Sequence, residues 1–348
     1  LHDALPISSP KLEHVYFGYN IAQERGGAVY IYGSGAAPSF FDCSFFSNHV
    51  EDADNDDGLI EGGGAVFLDG DTYSLEASFS HCAFNYNGAD EYGGAVAMPG
   101  DGGYATFDHC SFYYNNVSDS TGDGLYGGAI AIENGAFDVT SSRFEMNYAA
   151  DANPQGDCSA SSSASPRGRG GAIHINGGSA TFTNTLFENN RADYYGVLFA
   201  ESSASVDITN CTFYENCAYG YGSGRIVSGD LDILNTVILD DFDTTIGWNS
   251  FHENAYTTVD CSYIDSGWTG NTSSLCTYDG DGVYDDGDDP NPLQSPAAGD
   301  FTPTTCTCID AAYGSTAPAL DYYERPREPT GCSNDGAGEP NWYDIGAF

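Results

Sequence analysis

The sequence predicts an all-β chain, a single-stranded right-handed parallel β-helix of about 25–26 residues and three strands per coil. Three observations predict it. A Phe-x-x-Asn motif alternates strictly with a Gly-Gly-Ala motif, the spacing between them has a fixed minimum, and the segment before each Phe alternates apolar and polar residues.

The motifs come first, because internal repeats decide the architecture. Phe-x-x-Asn stands at Phe17/Asn20, Phe45/Asn48, Phe84/Asn87, Phe112/Asn115, Phe144/Asn147, Phe187/Asn190 and Phe213/Asn216. Gly-Gly-Ala-(Val/Ile) begins at Gly26, Gly63, Gly93, Gly127 and Gly170, with a worn copy at Gly196-Val197-Leu198. From Phe to the next Gly the steps are 9, 18, 9, 15, 26 and 9 residues, and from Gly to the next Phe 19, 21, 19, 17, 17 and 17. The shortest steps, 9 and 17, make a 26-residue unit, and later copies at Ile238 and Tyr263 step by 25. A unit this size fits three strands of about 5 residues with their turns.

The strand before each Phe supplies the packing argument. Val206-Asp207-Ile208-Thr209 and Leu231-Asp232-Ile233-Leu234 alternate with period two, so each strand has one buried face. A single coil cannot bury that face; coils stacked about 4.8 Å apart can. The Gly pair then permits a positive φ and close stacking. Each Phe is expected to stack on the Phe of the next coil, and each Asn to bond the turn backbone and its neighbours in the stack.

Two further columns follow. Three residues before the Phe stand His14, Asp42, His81, His109, Ser141, Asn184, Asn210, Asn235 and Asp260; the histidines read as turn or strand residues of a ladder rather than metal ligands or catalysts. Two residues before the Phe stand Val15, Cys43, Cys82, Cys110, Ser142, Thr185, Cys211, Thr236 and Cys261, read as small interior fillers. A disulfide between neighbouring Cys43, Cys82 and Cys110 is compatible with the spacing but not required by it.

The alternating motifs resemble those of the polymorphic outer membrane proteins. The resemblance is strict over residues 14–216 and degenerate to about 265. It implies a secreted or surface-displayed bacterial β-helix, often an adhesin, of the pectin lyase-like solenoid type. The family's C-terminal transporter barrel has no counterpart in this sequence, so autotransport is not supported.

The step of 9 from Phe to Gly grows in three coils, with extra segments around His49–Glu61, Asn116–Tyr126 and Tyr148–Arg169. Insertions at one turn project from one face of a solenoid, which is commonly its binding surface. In the first, Asp52, Asp54 and Asp56 alternate as calcium ligands do, but the following Gly58 is one residue late for an EF-hand; a solvated acidic loop is the other reading.

Composition changes near Cys276. Asp279, Asp281, Asp285 and Asp288 place carboxylates as a thrombospondin type-3 calcium loop does, and the segment resembles one. Thr277 replaces the opening Asp, and the Cys expected before Pro290 is absent, so an acidic linker is the alternative. The final stretch carries Cys308-Ile309-Asp310-Ala311, Arg325-Pro326 and Asp344-Ile345-Gly346-Ala347-Phe348. It is similar to the ending of choice-of-anchor Q proteins, which implies a cap on the open end of the helix. Cys306 or Cys308 pairing with Cys332 is left open.

The expected organisation is thus a β-helix over 9–275, an acidic calcium-type linker over 276–293 and a C-terminal end or cap segment over 294–348. Residues 1–8 are expected to be an assembly artefact, since Leu1–Ile7 reads as a translated sequencing adapter. On that expectation the natural N-terminus and any signal peptide are missing.

Charge limits the partners. With 51 Asp+Glu against 9 Lys+Arg the formal charge is -42, which disfavours nucleic acid and anionic lipid. Such a surface either holds divalent cations or serves solubility. No apolar run is long enough for a transmembrane helix. The 11 cysteines show no zinc spacing.

Two functions remain. One is a non-catalytic extracellular adhesion or cell-envelope protein, monomeric, binding a host or neighbouring-cell surface or a polysaccharide, with calcium as a stabiliser. The other is a carbohydrate-active enzyme, a polysaccharide lyase or glycoside hydrolase. The second would need an Arg or Lys base beside carboxylates. The helix offers only Arg25, Arg143, Arg167, Arg169, Arg191 and Arg225, and Asp240-Asp241 lacks the companion motifs of a polygalacturonase. No catalytic residue is assigned. A strand-face groove with Arg, carboxylates and exposed aromatics would favour the enzyme.

Overall fold

The computed structural model describes residues 9–33, 35–51, 61–70, 75–118, 125–149, 168–201, 204–218 and 229–239, together with short strands at 224–226, 251–253, 256–260, 262–264, 283–285, 293–295 and 300–303. One coil shows the plan. Gly103–Asp108 runs in a first sheet, Ser111–Tyr113 in a second, Asn116–Val117 in a third and Ile130–Glu133 in a fourth. Among the described residues these sheets hold nine, ten, seven and eight strands, ordered coil by coil. Pairing within them is parallel, as in Phe84↔Phe112 and Phe107↔Val139. The three strands expected per coil are the longer ones. The structure adds the two-residue strand of the third sheet.

Three corners in each coil use a left-handed residue. The first is the polar column, His14 through Asn235, with φ of 47–56°. The second is the residue before each motif Asn, Tyr19 through Glu215, with φ of 51–58°. The third is the first Gly of Gly-Gly-Ala, with φ of 56–67°. Single residues in this region bend a strand sharply; Gly, Asn and Asp adopt it most readily. Each corner keeps its place in the ladder. The amides of His109, Tyr114 and Gly127 donate to the carbonyls of Thr140, Glu145 and Arg169 in the next coil. The second Gly has a different reason: a Cβ on Gly94 would lie 2.2 Å from the Gly128 carbonyl oxygen and 2.4 Å from that of Asn116.

The core is ladders of identical side chains. Phe17, Phe45, Phe84, Phe112, Phe144, Phe187 and Phe213 stack with centroids 4.4–5.2 Å apart. A second column, Phe40, Phe79 and Phe107, meets the first edge-on. Each fully buried Phe contributes roughly 2–3 kcal/mol of transfer free energy.

From Asn48 to Asn216 the Asn column is buried, and Asn115 shows how it is bonded. Asn115 Nδ2 donates to Phe84 O in the preceding coil at 2.8 Å and to Asn147 Oδ1 in the following coil at 2.9 Å. Its Oδ1 accepts from Asn87 N and Nδ2, both at 3.0 Å. Two donors and two acceptor sites are thereby used, which is all a side-chain amide has.

The small column also behaves as expected. Cys43, Cys82, Cys110 and Cys211 are buried free thiols, with no disulfide among them. Burial pushes the Cys43 and Cys110 thiols up. Each thiol sits on a backbone carbonyl, as Cys82 does on Ser80 O at 3.4 Å. At Ser142, Thr236 and Ser262 the hydroxyl accepts from an amide of the coil before, as Ser142 Oγ does from Cys110 N.

Two details of the count change. Gly196 stands opposite Gly171, not Gly170, because Leu198 pairs with Ile173; Tyr195 takes the left-handed corner instead, with φ 60°. This coil loses one residue before the corner, so a nine-residue step lands on the second glycine. At the far end Ile264, not Tyr263, stacks over Ile238, and Ser262 rather than Cys261 follows Thr236 in the small column. The period there is 26 residues instead of 25.

Candidate binding face

From the second to the fifth motif the two residues between the Phe and the Asn are exposed or half-buried, while the Phe and the Asn are buried. Tyr19, Tyr86 and Tyr114 hold the second left-handed corner, with φ of 56–58°. A bulky ring there goes against local preference, by roughly 1 kcal/mol. Other coils use Ser47, Asn189 and Glu215 at the same place.

These rings form a continuous row across five coils. Tyr16 stacks on Phe46 at 6.5 Å, Tyr19 meets Phe46 at 5.5 Å, and Phe46 meets Tyr86 at 5.6 Å. Tyr86 meets Tyr113 and Tyr114 at 5.4 and 5.3 Å, and Tyr114 meets Tyr148 at 5.6 Å. Four coil steps make the row about 19 Å long. It stays accessible: Tyr19 is 70% exposed and Tyr86 40%. Beside it the His49 and Asn116 side chains close over Gly88, where a Cβ would lie 2.9 Å from His49 Nε2 and 3.1 Å from Asn116 Oδ1.

The ends of the insertions border this row. The described residues stop at Glu51, Ser118 and Ala149 and resume at Glu61, Leu125 and Gly168. Those points lie one two-residue strand from the aromatic corner, about 7 Å along the coil. Asp52, Asp54 and Asp56 lie outside the described residues, as do Asp279, Asp281 and Asp288. Asp285 ends the strand Val283–Asp285, which pairs with Ser262–Ile264 as the last strand of the second sheet.

Arg25, Arg143 and Arg169 are engaged. Arg143 Nη2 lies 3.1 Å from Glu145 and 2.5 Å from Glu188 on the second sheet. Burial raises the Glu145 carboxyl while Arg143 opposes the shift. Arg25 lies 5.3 Å over Phe67, and Arg169 lies 5.2 Å over Phe199.

The outward face of the fourth sheet is not a site of the same kind. Phe67, Ala97, Ala131, His174 and Phe199 form one outward column and are all buried. Tyr92 and Tyr126 pack over His174 at 6.0 and 4.5 Å. His174 Nε2 lies 3.2 Å from Glu201 Oε1, and its Nδ1 has no partner among the described residues. Burial lowers its pKa, so the ring is neutral. With no solvent access it is a packed side chain, not a proton-transfer group.

The aromatic row escaped the sequence reading, although its signal lay inside the motif. The variable positions read Gly-Tyr, Phe-Ser, Asn-Tyr, Tyr-Tyr and Glu-Met in successive copies. Attention to the constant Phe and Asn hid the outward positions between them.

Parallel sheets, ladders along the axis and one accessible face define an elongated solenoid of stacked coils. The chain belongs to the right-handed β-helix family: the family described as "Right handed beta helix region" matches residues 27–230, more than half of the 348. Neither a curated protein nor a solved structure matches it.

Proposed function

We propose that this chain is a secreted or surface-displayed bacterial protein that binds a polysaccharide or cell-surface glycan without chemical turnover, as an adhesin or cell-envelope component. The aromatic row carries the reading. Aromatic faces stack on the apolar faces of sugar rings, while tyrosine hydroxyls bond their edges. A ladder of rings at the coil spacing suits an extended polymer of ring-shaped units. An exposed aromatic patch of this kind is unusual on a surface with no partner.

Other observations favour the compartment. Cys217 is disulfide-bonded, which suits an oxidising environment. The likeness to polymorphic outer membrane proteins and to choice-of-anchor Q proteins supports display on a cell surface. Calcium bound by Asp279, Asp281, Asp285 and Asp288, or by Asp52, Asp54 and Asp56, would stiffen the chain. Calcium then raises the melting temperature, and an unchanged melting temperature with EDTA counts against bound metal.

One observation favours the enzyme reading. Arg143 with Glu145 and Glu188 places a cation and two carboxylates on the face that carries the aromatics. That guanidinium is committed to its carboxylates, so binding is the better reading. Binding and turnover assays over a glycan panel, with and without calcium, separate the two. Binding without products supports the adhesin; any product rejects it in favour of a lyase or hydrolase.

A further inference from the structure

The first left-handed corner raises a question that packing does not answer. Most of the column is Asn, Asp or Ser, residues whose side chains suit the conformation or its local hydrogen bonds. His81 and His109 depart from that rule in adjacent coils, at φ 56° and 52°. Their corner duty needs only the backbone, since the His81 amide donates to Asp108 O and the His109 amide to Thr140 O. The imidazoles are therefore surplus to the fold. The corner aims both rings outward on one line, 4.9 Å apart and within 10° of parallel.

Asp108 completes a group of three. It ends the strand ahead of His109 and pairs in register with Ser80, the residue ahead of His81. Its Oδ1 accepts from His109 Nδ1 at 2.9 Å. Ser80 Oγ lies 2.9 Å from His81 Nδ1. One donor atom from each of His81, Asp108 and His109 lies within 4.8 Å of the other two. Donors on one tetrahedral ion, at about 2.0–2.1 Å each, stand about 3.4 Å apart. Side-chain rotation of under about 1 Å per donor closes that gap on a fixed backbone. Alternative residues at these corners would keep the fold and lose the donors.

We infer that His81, Asp108 and His109 form a binding site for a divalent transition-metal ion of the zinc or copper(II) class. Two imidazoles and one carboxylate are borderline donors, which favour such ions over calcium or magnesium. The set leaves at least one coordination position to water or to an outside ligand. The partial exposure of the group, with Asp108 at 48% and His109 at 25% of the side chain, keeps that position accessible.

The test uses the full chain without a histidine tag, freed of metal and titrated with zinc and with copper(II). The variants are H81N, H109N and the pair together, since Asn suits the left-handed corner and leaves the fold intact. D108S copies the neighbouring coil. We expect one equivalent of metal bound, a loss of 10-fold or more in each single His variant, and no site in the double variant. Nitrogen coupling in the copper(II) spectrum should be present in the wild type and absent in the double variant. H14N, one column member removed, should bind as the wild type does. No saturable binding below about 100 μM, or binding retained by a folded double variant, overturns the assignment.

Discussion

Removing one amide from the middle of the asparagine ladder should cost more than removing any single exposed polar group. Asn115→Ala deletes four buried hydrogen bonds, two accepted by Oδ1 and two donated by Nδ2. It strands the backbone amide and side-chain amide of Asn87 and the carbonyl of Phe84, none of which water can reach. At about 1–2 kcal/mol for each stranded group, the loss is roughly 3–6 kcal/mol. That is a large part of an ordinary domain's 5–15 kcal/mol. Asn20→Ala makes the natural comparison. Asn20 is exposed at the end of the ladder and gives up only its Nδ2 bond to Asn48 Oδ1. Its loss should stay below about 1 kcal/mol. Urea unfolding followed by far-ultraviolet circular dichroism gives both values. A difference under about 1 kcal/mol between the two variants would falsify the ladder as a source of stability.

Three further outcomes follow from the same geometry. Gly94→Ala places a Cβ against two backbone oxygens of the next coil and should destabilise by roughly 3 kcal/mol or more, or prevent folding; soluble wild-type-like protein would contradict the close stacking. The buried neutral ring of His174 resists a proton that it accepts once unfolded. Its contribution is complete above about pH 6.5 and is lost as pH falls toward its lowered folded value. His174→Gln should therefore lose less stability than the wild type between pH 7.5 and 5.5, read from urea midpoints; equal losses would rule that ring out. The calcium melting experiment described above tests the acidic segments.

Much of the fold was legible because a solenoid writes its contacts at a constant spacing. Phe84 touches Phe45 and Phe112 because equivalent positions in successive coils are neighbours, so one motif predicts a whole ladder. The same logic located the insertions at one turn. What escaped were the left-handed corners outside glycine. Tyr114 bends the chain although nothing in its side chain favours it; the stacking hydrogen bonds impose it. The slip at Tyr195-Gly196 escaped for a related reason. A sequence count cannot see a residue lost from a turn when strand pairing restores the register, as Ile173↔Leu198 does. The aromatic face was harder still. It consists of the positions that vary, and only the corner geometry shows that Tyr19, Tyr86 and Tyr114 point the same way.

Those three tyrosines give the most direct test of the function. Asn suits a left-handed corner better than Tyr does, by up to about 1 kcal/mol, so the variant Y19N/Y86N/Y114N should fold with a melting temperature close to the wild type's. Titrating both proteins with members of a polysaccharide panel, while assaying for products, measures the aromatic row alone. The expected result is saturable binding by the wild type, a loss of 10-fold or more in the folded variant, and no products. Equal binding by the two proteins, or any turnover, would contradict it.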